Sequence, residues 1–289
     1  MNYAKVKPEL ILTWDIETAP LDDFSSSHPM FDPWANKNRK EQLSEEELVE
    51  KFNNEAGLYA PYGKIVCISA GFINGEHAHI KSFTGDERTI VDEFLAAIES
   101  FVARRGTVFH MGWNNKDFDL PFLRMAFSRY YPMFEFPDHT SELFKKPWEL
   151  TNVIDLMQIF KGSSFTYHSM ATVALMLGLP SPKMDTDGSK VAEMAKNGEY
   201  EAIAKYCEGD VLTCMNIYQK FRGLPILEQK KGTSNALPSV DLLTKLVNTG
   251  KLTAAEKKKL AAAIVPYKGK SGWEKIEKTI LEIYPKFEF

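Results

Sequence analysis

Two carboxylates one residue apart, Asp15 and Glu17, follow the apolar residues 10–14 near the start of the chain. Side chains alternate between the two faces of a strand, so a strand over residues 9–17 projects both carboxylates to the same side, about 7 Å apart. Two anions at that separation repel each other unless a cation lies between them. Mg²⁺ and Mn²⁺ take oxygen ligands and could fill this place. The alternative is an exposed acidic turn at the end of the strand.

A third acidic residue, Asp119, lies between a predicted strand at residues 107–113 and a predicted helix at residues 120–130. An aspartate in this place can cap the helix, because its side chain accepts hydrogen bonds from the free N–H groups of the first turn. The edge of an α/β sheet where a strand leads into a helix is also where such folds build sites. The sequence leaves both roles open.

A fourth acidic residue, Asp210, falls on the apolar face of a predicted helix over residues 199–221. The apolar positions of that helix recur at intervals of three and four and are Ile203, Tyr206, Cys207, Val211, Cys214, Ile217, Tyr218 and Phe221. An inward-facing carboxylate is costly to desolvate unless it is paired, hydrogen-bonded or bound to a metal. A structural salt bridge would explain Asp210 alone. Metal coordination explains it together with Asp15 and Glu17.

The elements that must position these residues are strands followed by alternating helices and strands. Strands are expected near residues 9–17, 65–73, 78–83, 107–113 and 153–156, and helices near residues 86–105, 120–130, 168–177, 188–196 and 199–221. The first three strands are consecutive and predict an antiparallel meander. The alternation that follows predicts an α/β fold with a mixed five-stranded sheet and flanking helices.

A long polar insertion, residues 21–62, follows the first strand. Within it, Ser44 and Glu47 have the spacing of a capping box, which predicts one short helix in an otherwise irregular loop. An insertion of this length is typical of a lid or a substrate loop, and equally of a surface loop without function.

Length and composition favour one large domain, or one domain with a small appendage, since 289 residues with 44% apolar side chains can bury a sizeable core. The sequence has neither a long uncharged apolar stretch nor the apolar core of a secretory signal, so we expect a cytoplasmic protein without a membrane segment. Its three cysteines, Cys67, Cys207 and Cys214, lack close metal-ligand spacing and are expected to be reduced, buried thiols.

The last residues, 223–289, differ in charge from the rest of the chain. They contain 12 lysines and 7 acidic residues, a net charge of +5, whereas residues 1–222 carry −9. Two capping-box spacings, Thr253 with Glu256 and Ser271 with Glu274, predict short helices there. We therefore expect a basic helical C-terminal appendage beside a domain over residues 1–222. Its lysines could hold a phosphate backbone near the acidic body, or simply form a solvated helical surface.

In this order, the acidic motifs resemble those of the DEDD superfamily of 3′-5′ exonucleases, which have a ribonuclease H-like fold. The matching positions are Asp15, Glu17 and Thr18 in the first motif, Asn114, Phe118 and Asp119 in the second, and Tyr206 and Asp210 in the third. Lys205 stands where the histidine branch of the superfamily has its histidine. The chain therefore resembles the tyrosine (DEDDy) branch, and is similar over residues 8–222 to the exonuclease domain of family B DNA polymerases, as a stand-alone protein.

This resemblance implies a reaction and a set of roles. Asp15, Glu17, Asp119 and Asp210 would hold two divalent metal ions, Mg²⁺ or Mn²⁺, for in-line hydrolysis of a phosphodiester bond. The substrate would be single-stranded DNA, cut from its 3′ end into nucleoside 5′-monophosphates. Tyr206 would orient the attacking water, although an aromatic residue at this position could also simply fill the core.

Three further positions are expected to touch the terminal nucleotide, and each has a structural alternative. Phe118 could stack on a terminal base or anchor its helix in the core. Thr18 and Asn114 could contact the nucleotide or shape their turns.

The partners implied are single-stranded nucleic acid, with DNA favoured, and a polymerase or replication protein, in proofreading or DNA repair. An RNA 3′-5′ exonuclease is an alternative, because both sugars present the same scissile phosphate. Two functions of a different kind are a catalytically silent nucleic-acid-binding module and a ribonuclease H-type endonuclease. Retention of all four carboxylates argues against the silent module, and the Tyr206 and Asp210 pair argues against the endonuclease.

Overall fold

A computed structural model of the chain describes residues 3–21, 25–38, 43–131, 140, 142–162, 166–180 and 190–229. The chain separates into two units, Met1–Lys230 and Lys231–Phe289. The predicted basic appendage lies outside the described residues from residue 230 onward, so the division at residue 222 and the helices expected in residues 223–289 stay predictions.

A mixed sheet forms the centre of the described part. Its strands are β1 (Ile11–Pro20), β2 (Gly63–Asn74), β3 (His77–Thr84), β4 (Phe109–Gly112), β5 (Val153–Asp155) and β6 (Glu228–Gln229), in the order β5-β4-β1-β2-β3-β6. Strands β1, β2 and β3 form the predicted antiparallel meander, while β4 and β5 join parallel on the other side of β1. The predicted α/β class with a mixed sheet and flanking helices is confirmed, and the two-residue β6 adds to the five predicted strands.

Helices cover both faces of this sheet. They are α1 (Phe31–Asn38), α2 (Glu45–Glu55), α3 (Glu87–Arg105), α4 (Asp119–Tyr130), α5 (Leu156–Lys161), α6 (Met170–Met176), α7 (Val191–Lys196) and α8 (Tyr200–Phe221). The predicted start and end of α3 agree with the structure. Asp86 caps the helix by accepting a hydrogen bond from the Thr89 N–H, and Gly106 ends it with φ at 79°. No helix among the described residues is long and apolar enough to cross a membrane.

The insertion contains two helices, so the prediction of one short helix there was wrong. The capping box of Ser44 and Glu47 does begin α2, but α1 precedes it. Phe31 and Trp34 of α1 are buried against Phe52 of α2, with the Trp34 and Phe52 rings stacked 4.7 Å apart. In the sequence, polar residues separate these aromatic side chains, and the helical spacing of α1 was therefore not recognised.

Candidate active site

The pleat of β1 divides its side chains between two cores. Trp14 and Ile16 point to one face of the sheet, where they pack with residues of α3 and α4. Ile11 and Ala19 pack on the opposite face, which α8 covers. Because alternate residues of a strand share a face, Asp15 and Glu17 lie on the α8 side. The predicted common orientation of the two carboxylates therefore places them beneath the helix that carries Asp210.

Asp119 reaches this region because β4 is short. Strand β4 pairs with β1 only as far as Thr13, opposite Met111, and ends at Gly112. Beyond that point no strand of the described residues pairs with β1 on this side, and the Ile16 backbone N–H donates a hydrogen bond to the Asp119 carboxylate. Phe118, rather than Asp119, is the residue that precedes the first turn of α4, and its side chain makes no capping hydrogen bond. Asp119 is instead the first residue of α4, where its carboxylate accepts hydrogen bonds from its own backbone N–H and from that of Ile16 and so faces β1.

Helix α8 brings two more groups to the same place. Asp210 lies on its sheet-facing side among the buried Cys207, Val211 and Cys214. The Cys207 thiol donates to the backbone oxygen of Asp15 at 3.4 Å and lies 3.6 Å from its Oδ2. The ligand atoms of Asp15, Glu17 and Cys207 all lie within 4.8 Å of one another, an arrangement that could hold a metal ion.

The four carboxyl groups have unusually high pKa values, and burial is the main cause. Burial raises the pKa of Asp15 well above its ordinary range, and the charges of Asp119, Asp210 and Glu17 raise it further. Burial and the charge of Asp210 also raise the pKa of Glu17 well above its ordinary range. Burial raises the pKa of Asp119 to about 8 and that of Asp210 to about 7. Asp15 and Glu17 are thus costly to ionise beside the other carboxylates.

The four carboxyl groups have no cationic side chain beside them in the described part of the chain. There, no lysine or arginine forms an ion pair with Asp15, Glu17, Asp119 or Asp210. Buried carboxylates normally have a cationic partner or a metal. The donor set is therefore suited to a divalent cation, which prefers several oxygen ligands.

A cavity of about 520 Å³ opens beside Glu17. Phe118 lines one side of this cavity, where its ring leans on Phe122 at 5.0 Å between centroids. The predicted alternatives for Phe118 are therefore not exclusive, because its ring both packs on the core and faces the cavity. The size of the cavity suits a nucleotide-sized ligand.

The insertion supplies another part of this cavity wall. Asn54, Gly57 and Leu58 line it, and Leu58 is 60% exposed. Gly57 approaches β1 so closely that a β-carbon on it would lie 3.2 Å from the Ala19 backbone. The Thr18 hydroxyl donates to the Gly57 carbonyl at 2.6 Å, so Thr18 holds the wall in place. Part of the insertion therefore lies beside the site, and its role as a lid or substrate loop stays a prediction.

Asn114 occupies a tight turn before α4. Its φ of 62° lies in the left-handed region, where asparagine is more common than other non-glycine residues. Its carbonyl accepts hydrogen bonds from the N–H groups of Asp117 and Phe118 at 3.2 and 3.0 Å. These contacts correspond to the turn-shaping alternative, and contact with a nucleotide stays a prediction.

Asp155 is a residue of this region that sequence reasoning missed. Its buried carboxylate, at the end of β5, accepts hydrogen bonds from the backbone N–H groups of Asn114 and Lys116 at 3.1 Å each, and from Gln158 at 3.3 Å. It therefore fastens the loop that leads to Asp119. An aspartate ending an apolar strand was the available signal, but its partners lie about 40 residues earlier in the chain.

Replacing Asp155 with alanine should loosen this loop. Two loop N–H groups and the cap of α5 lose their acceptor, so the free energy of unfolding is expected to fall by about 3 kcal/mol. Asp119 would be held less firmly, and the affinity of the site for a divalent cation should fall by about tenfold. Chemical denaturation and a metal titration measure these effects. Asp155→Asn keeps one acceptor oxygen and should show smaller changes; equal metal affinity in Asp155→Ala and wild type would contradict this positioning role.

Tyr206 lies on α8, one helical turn before Asp210, as predicted. Its half-buried ring packs against an apolar cluster that includes Ile203 and Cys207. This packing agrees with the alternative in which Tyr206 fills the core. Its position on the same face of α8 as Asp210 is also the position needed to orient an attacking water, and that role stays a prediction.

Comparison with known proteins agrees with this geometry. Residues 55–248 match the family described as predicted 3′-5′ exonucleases related to the exonuclease domain of PolB. That match covers more than half of the 289 residues, and the chain belongs to this family. The predicted relation to polymerase exonuclease domains is confirmed.

A solved structure similar to this chain is the family B DNA polymerase from the hyperthermophilic archaeon Pyrobaculum calidifontis. The two share 14% sequence identity with a TM-score of 0.45, over 90% of this chain and 29% of the polymerase. The chain thus matches less than a third of the length of that polymerase. No curated protein matches the chain.

Proposed function

We propose that this protein is a metal-dependent 3′-5′ exonuclease that hydrolyses single-stranded DNA to nucleoside 5′-monophosphates. The observation that carries the proposal is the meeting of four carboxylates beside β1, with Glu17 and Asp119 buried and Asp15 and Asp210 half-buried, without a cationic side chain among the described residues. The family match supports the reaction type. A place in proofreading or DNA repair beside a polymerase is part of the same proposal.

The carboxylates fit a pair of divalent cations. Asp15, Glu17, Asp119 and Asp210 would hold Mg²⁺ or Mn²⁺, since oxygen-rich acidic sites suit both ions. Such a pair supplies activation of the attacking water and stabilisation of the leaving 3′ oxygen. The raised pKa values of Asp119 and Asp210 also support a cation site. A carboxylate that is costly to ionise in the folded protein is stabilised when a cation binds beside it.

The other residues of the site would bind and orient. The Tyr206 hydroxyl, as an O–H donor, would hold the attacking water by a hydrogen bond. Phe118, in the wall of the cavity beside Glu17, would stack on the terminal base, a contact worth about 1–3 kcal/mol per base and insensitive to its identity. Leu58 would close the cavity from the side of the insertion.

Digestion of matched DNA and RNA oligonucleotides tests this function. A single-stranded DNA carrying a 5′ label, incubated with Mn²⁺, should give a ladder that shortens from the 3′ end, with mononucleotides as the product. The Asp15→Ala protein should give no ladder, and persistence of the ladder would refute the assignment of this site. Faster digestion of RNA would identify the protein as an RNA exonuclease.

Two further outcomes would point to a different class of protein. Binding of single strands with no metal-dependent cleavage would indicate a silent nucleic-acid-binding module. Internal cuts in a circular single strand, which has no 3′ end, would indicate an endonuclease of the ribonuclease H type.

A further inference from the structure

The proposed hydrolysis leaves one group of the site unexplained, the thiol of Cys207. This residue is fully buried on α8, three residues before Asp210. Its sulfur points at Asp15, 3.4 Å from the backbone oxygen and 3.6 Å from Oδ2. Mg²⁺ and Mn²⁺ prefer carboxylate and water oxygens, so a thiol adds nothing to their binding.

We propose that Asp15, Glu17 and Cys207 form a binding site for a soft divalent cation, Zn²⁺ or Cd²⁺, which occupies the carboxylates and inhibits the enzyme. Binding itself is independent of the proposed function, whereas the inhibition rests on it. Zn²⁺ accepts thiolate, imidazole and carboxylate ligands alike, and soft thiolates favour it over Mg²⁺.

The distance between the Cys207 sulfur and the Asp15 carboxylate matches tetrahedral coordination. Zn–S bonds of about 2.3 Å and Zn–O bonds of about 2.1 Å at a tetrahedral angle place sulfur and oxygen about 3.6 Å apart. The Cys207 sulfur and the Asp15 Oδ2 atom are 3.6 Å apart. Glu17 completes a set of three ligand atoms within 4.8 Å of one another. A water molecule would take the fourth position, as at other zinc sites with three protein ligands.

The surroundings hold the thiol in this position. Cys67 lies opposite Glu17 in the ladder between β1 and β2, and its thiol hydrogen-bonds the thiol of Cys207. Cys67 in turn contacts the Ser69 hydroxyl, 3.8 Å away. When the metal–sulfur bond forms, the Cys207 thiol would lose its proton to solvent, so the soft cation meets a thiolate and two carboxylates.

This arrangement makes the two kinds of cation mutually exclusive. Asp15 and Glu17 belong both to the proposed site for the two hydrolytic metal ions and to the soft-cation site. The two carboxylates can therefore bind one kind of cation or the other at a given time. Zn²⁺ should therefore compete with Mn²⁺ for the same residues. A soft cation would then inhibit hydrolysis even in excess Mn²⁺.

Cadmium titration of the full-length, metal-free protein tests the site without any catalysis. A Cd²⁺–thiolate bond gives an ultraviolet charge-transfer band, and one equivalent of Cd²⁺ should produce it in wild type. The chain has three cysteines, so each can be tested in turn. Cys214→Ser is the matched control, because Cys214 is also buried on α8 but contacts the Met170 sulfur at 3.5 Å. The band should persist in Cys214→Ser and disappear in Cys207→Ser.

Further measurements keep the test decisive if Cys207→Ser is unstable. Cys207→Ala offers a second variant, and thermal unfolding reports whether either is folded. Cadmium NMR of the wild type distinguishes sulfur from oxygen ligands without any substitution. A signal typical of oxygen ligands alone, or a full band in a folded Cys207 variant, would overturn the proposal.

Inhibition is measured separately, in excess Mn²⁺. The Zn²⁺ concentration that halves the hydrolysis rate should rise by at least about tenfold in Cys207→Ser, as expected for loss of a metal ligand. Equal inhibition of wild type and Cys207→Ser would contradict the regulatory part. A cadmium band in a protein that hydrolyses nothing would refute the exonuclease and leave the soft-cation site standing.

Discussion

Asparagine at position 15 is expected to abolish hydrolysis and, at the same time, to stabilise the metal-free protein. Loss of one oxygen charge from the cation-binding cluster should lower the rate by on the order of 10⁴-fold, as for other residues at the centre of a catalytic group. Without metal, however, burial and repulsion by the neighbouring carboxylates make Asp15 costly to ionise and hold its pKa well above the ordinary range. A neutral amide of the same size removes that repulsion, so the melting temperature should rise.

The measurements are a hydrolysis assay in Mn²⁺ and thermal unfolding with a chelator present. Asp117→Asn is the matched control: Asp117 lies in the same loop as Asp119, but its exposed side chain accepts a hydrogen bond from the Gln158 side chain at 3.4 Å, and asparagine keeps an oxygen there. Both activity and melting temperature should stay near wild-type values in this control. Unchanged hydrolysis, or a lower melting temperature, in Asp15→Asn would contradict a cation site in which the carboxylates repel one another when no metal is bound.

Stability of the metal-free protein is expected to fall as the pH rises from about 4 to about 8. An unfolded chain releases the proton of an aspartate near pH 4, whereas the folded protein holds the pKa of Asp210 at about 7 and that of Asp119 at about 8. Between these pH values the folded state binds more protons than the unfolded state, and the free energy of unfolding therefore decreases with pH. The stabilising contribution is complete below about pH 4 and lost above about pH 8.

The slope should reach about 1.4 kcal/mol per pH unit for each carboxyl group that is protonated only in the folded state. Divalent cations favour the ionised carboxylates, so the stabilisation by Mn²⁺ should grow over the same range. Denaturant unfolding at several pH values, with chelator and with Mn²⁺, measures both curves. Asp119→Asn should flatten the metal-free curve, since asparagine does not titrate; a metal-free stability that rises from about pH 5 to about pH 8 would show that the carboxyl pKa values are not raised.

Local spacing determined much of this site before any tertiary contact was known. Alternation along β1 put Asp15 and Glu17 on one side, and the three-and-four spacing of α8 turned Asp210 inward. The capping box at Ser44 and the glycine at position 106 likewise set a helix start and a helix stop. These features depend on neighbours within a few residues, which a sequence displays directly.

Tertiary structure alone decided which faces meet and what lies between them. Because β4 ends early, the Ile16 N–H is free to donate to Asp119, and Gly57 forms part of the cavity wall beside Glu17. Packing of α8 brought the Cys207 thiol to Asp15 across 192 positions of sequence. Such contacts depend on sheet order and on helix packing between distant segments, and hydrophobic periodicity carries no information about either. For that reason the sequence predicted the carboxylates of this site, whereas their thiol neighbour and their supporting Asp155 emerged only from the folded chain.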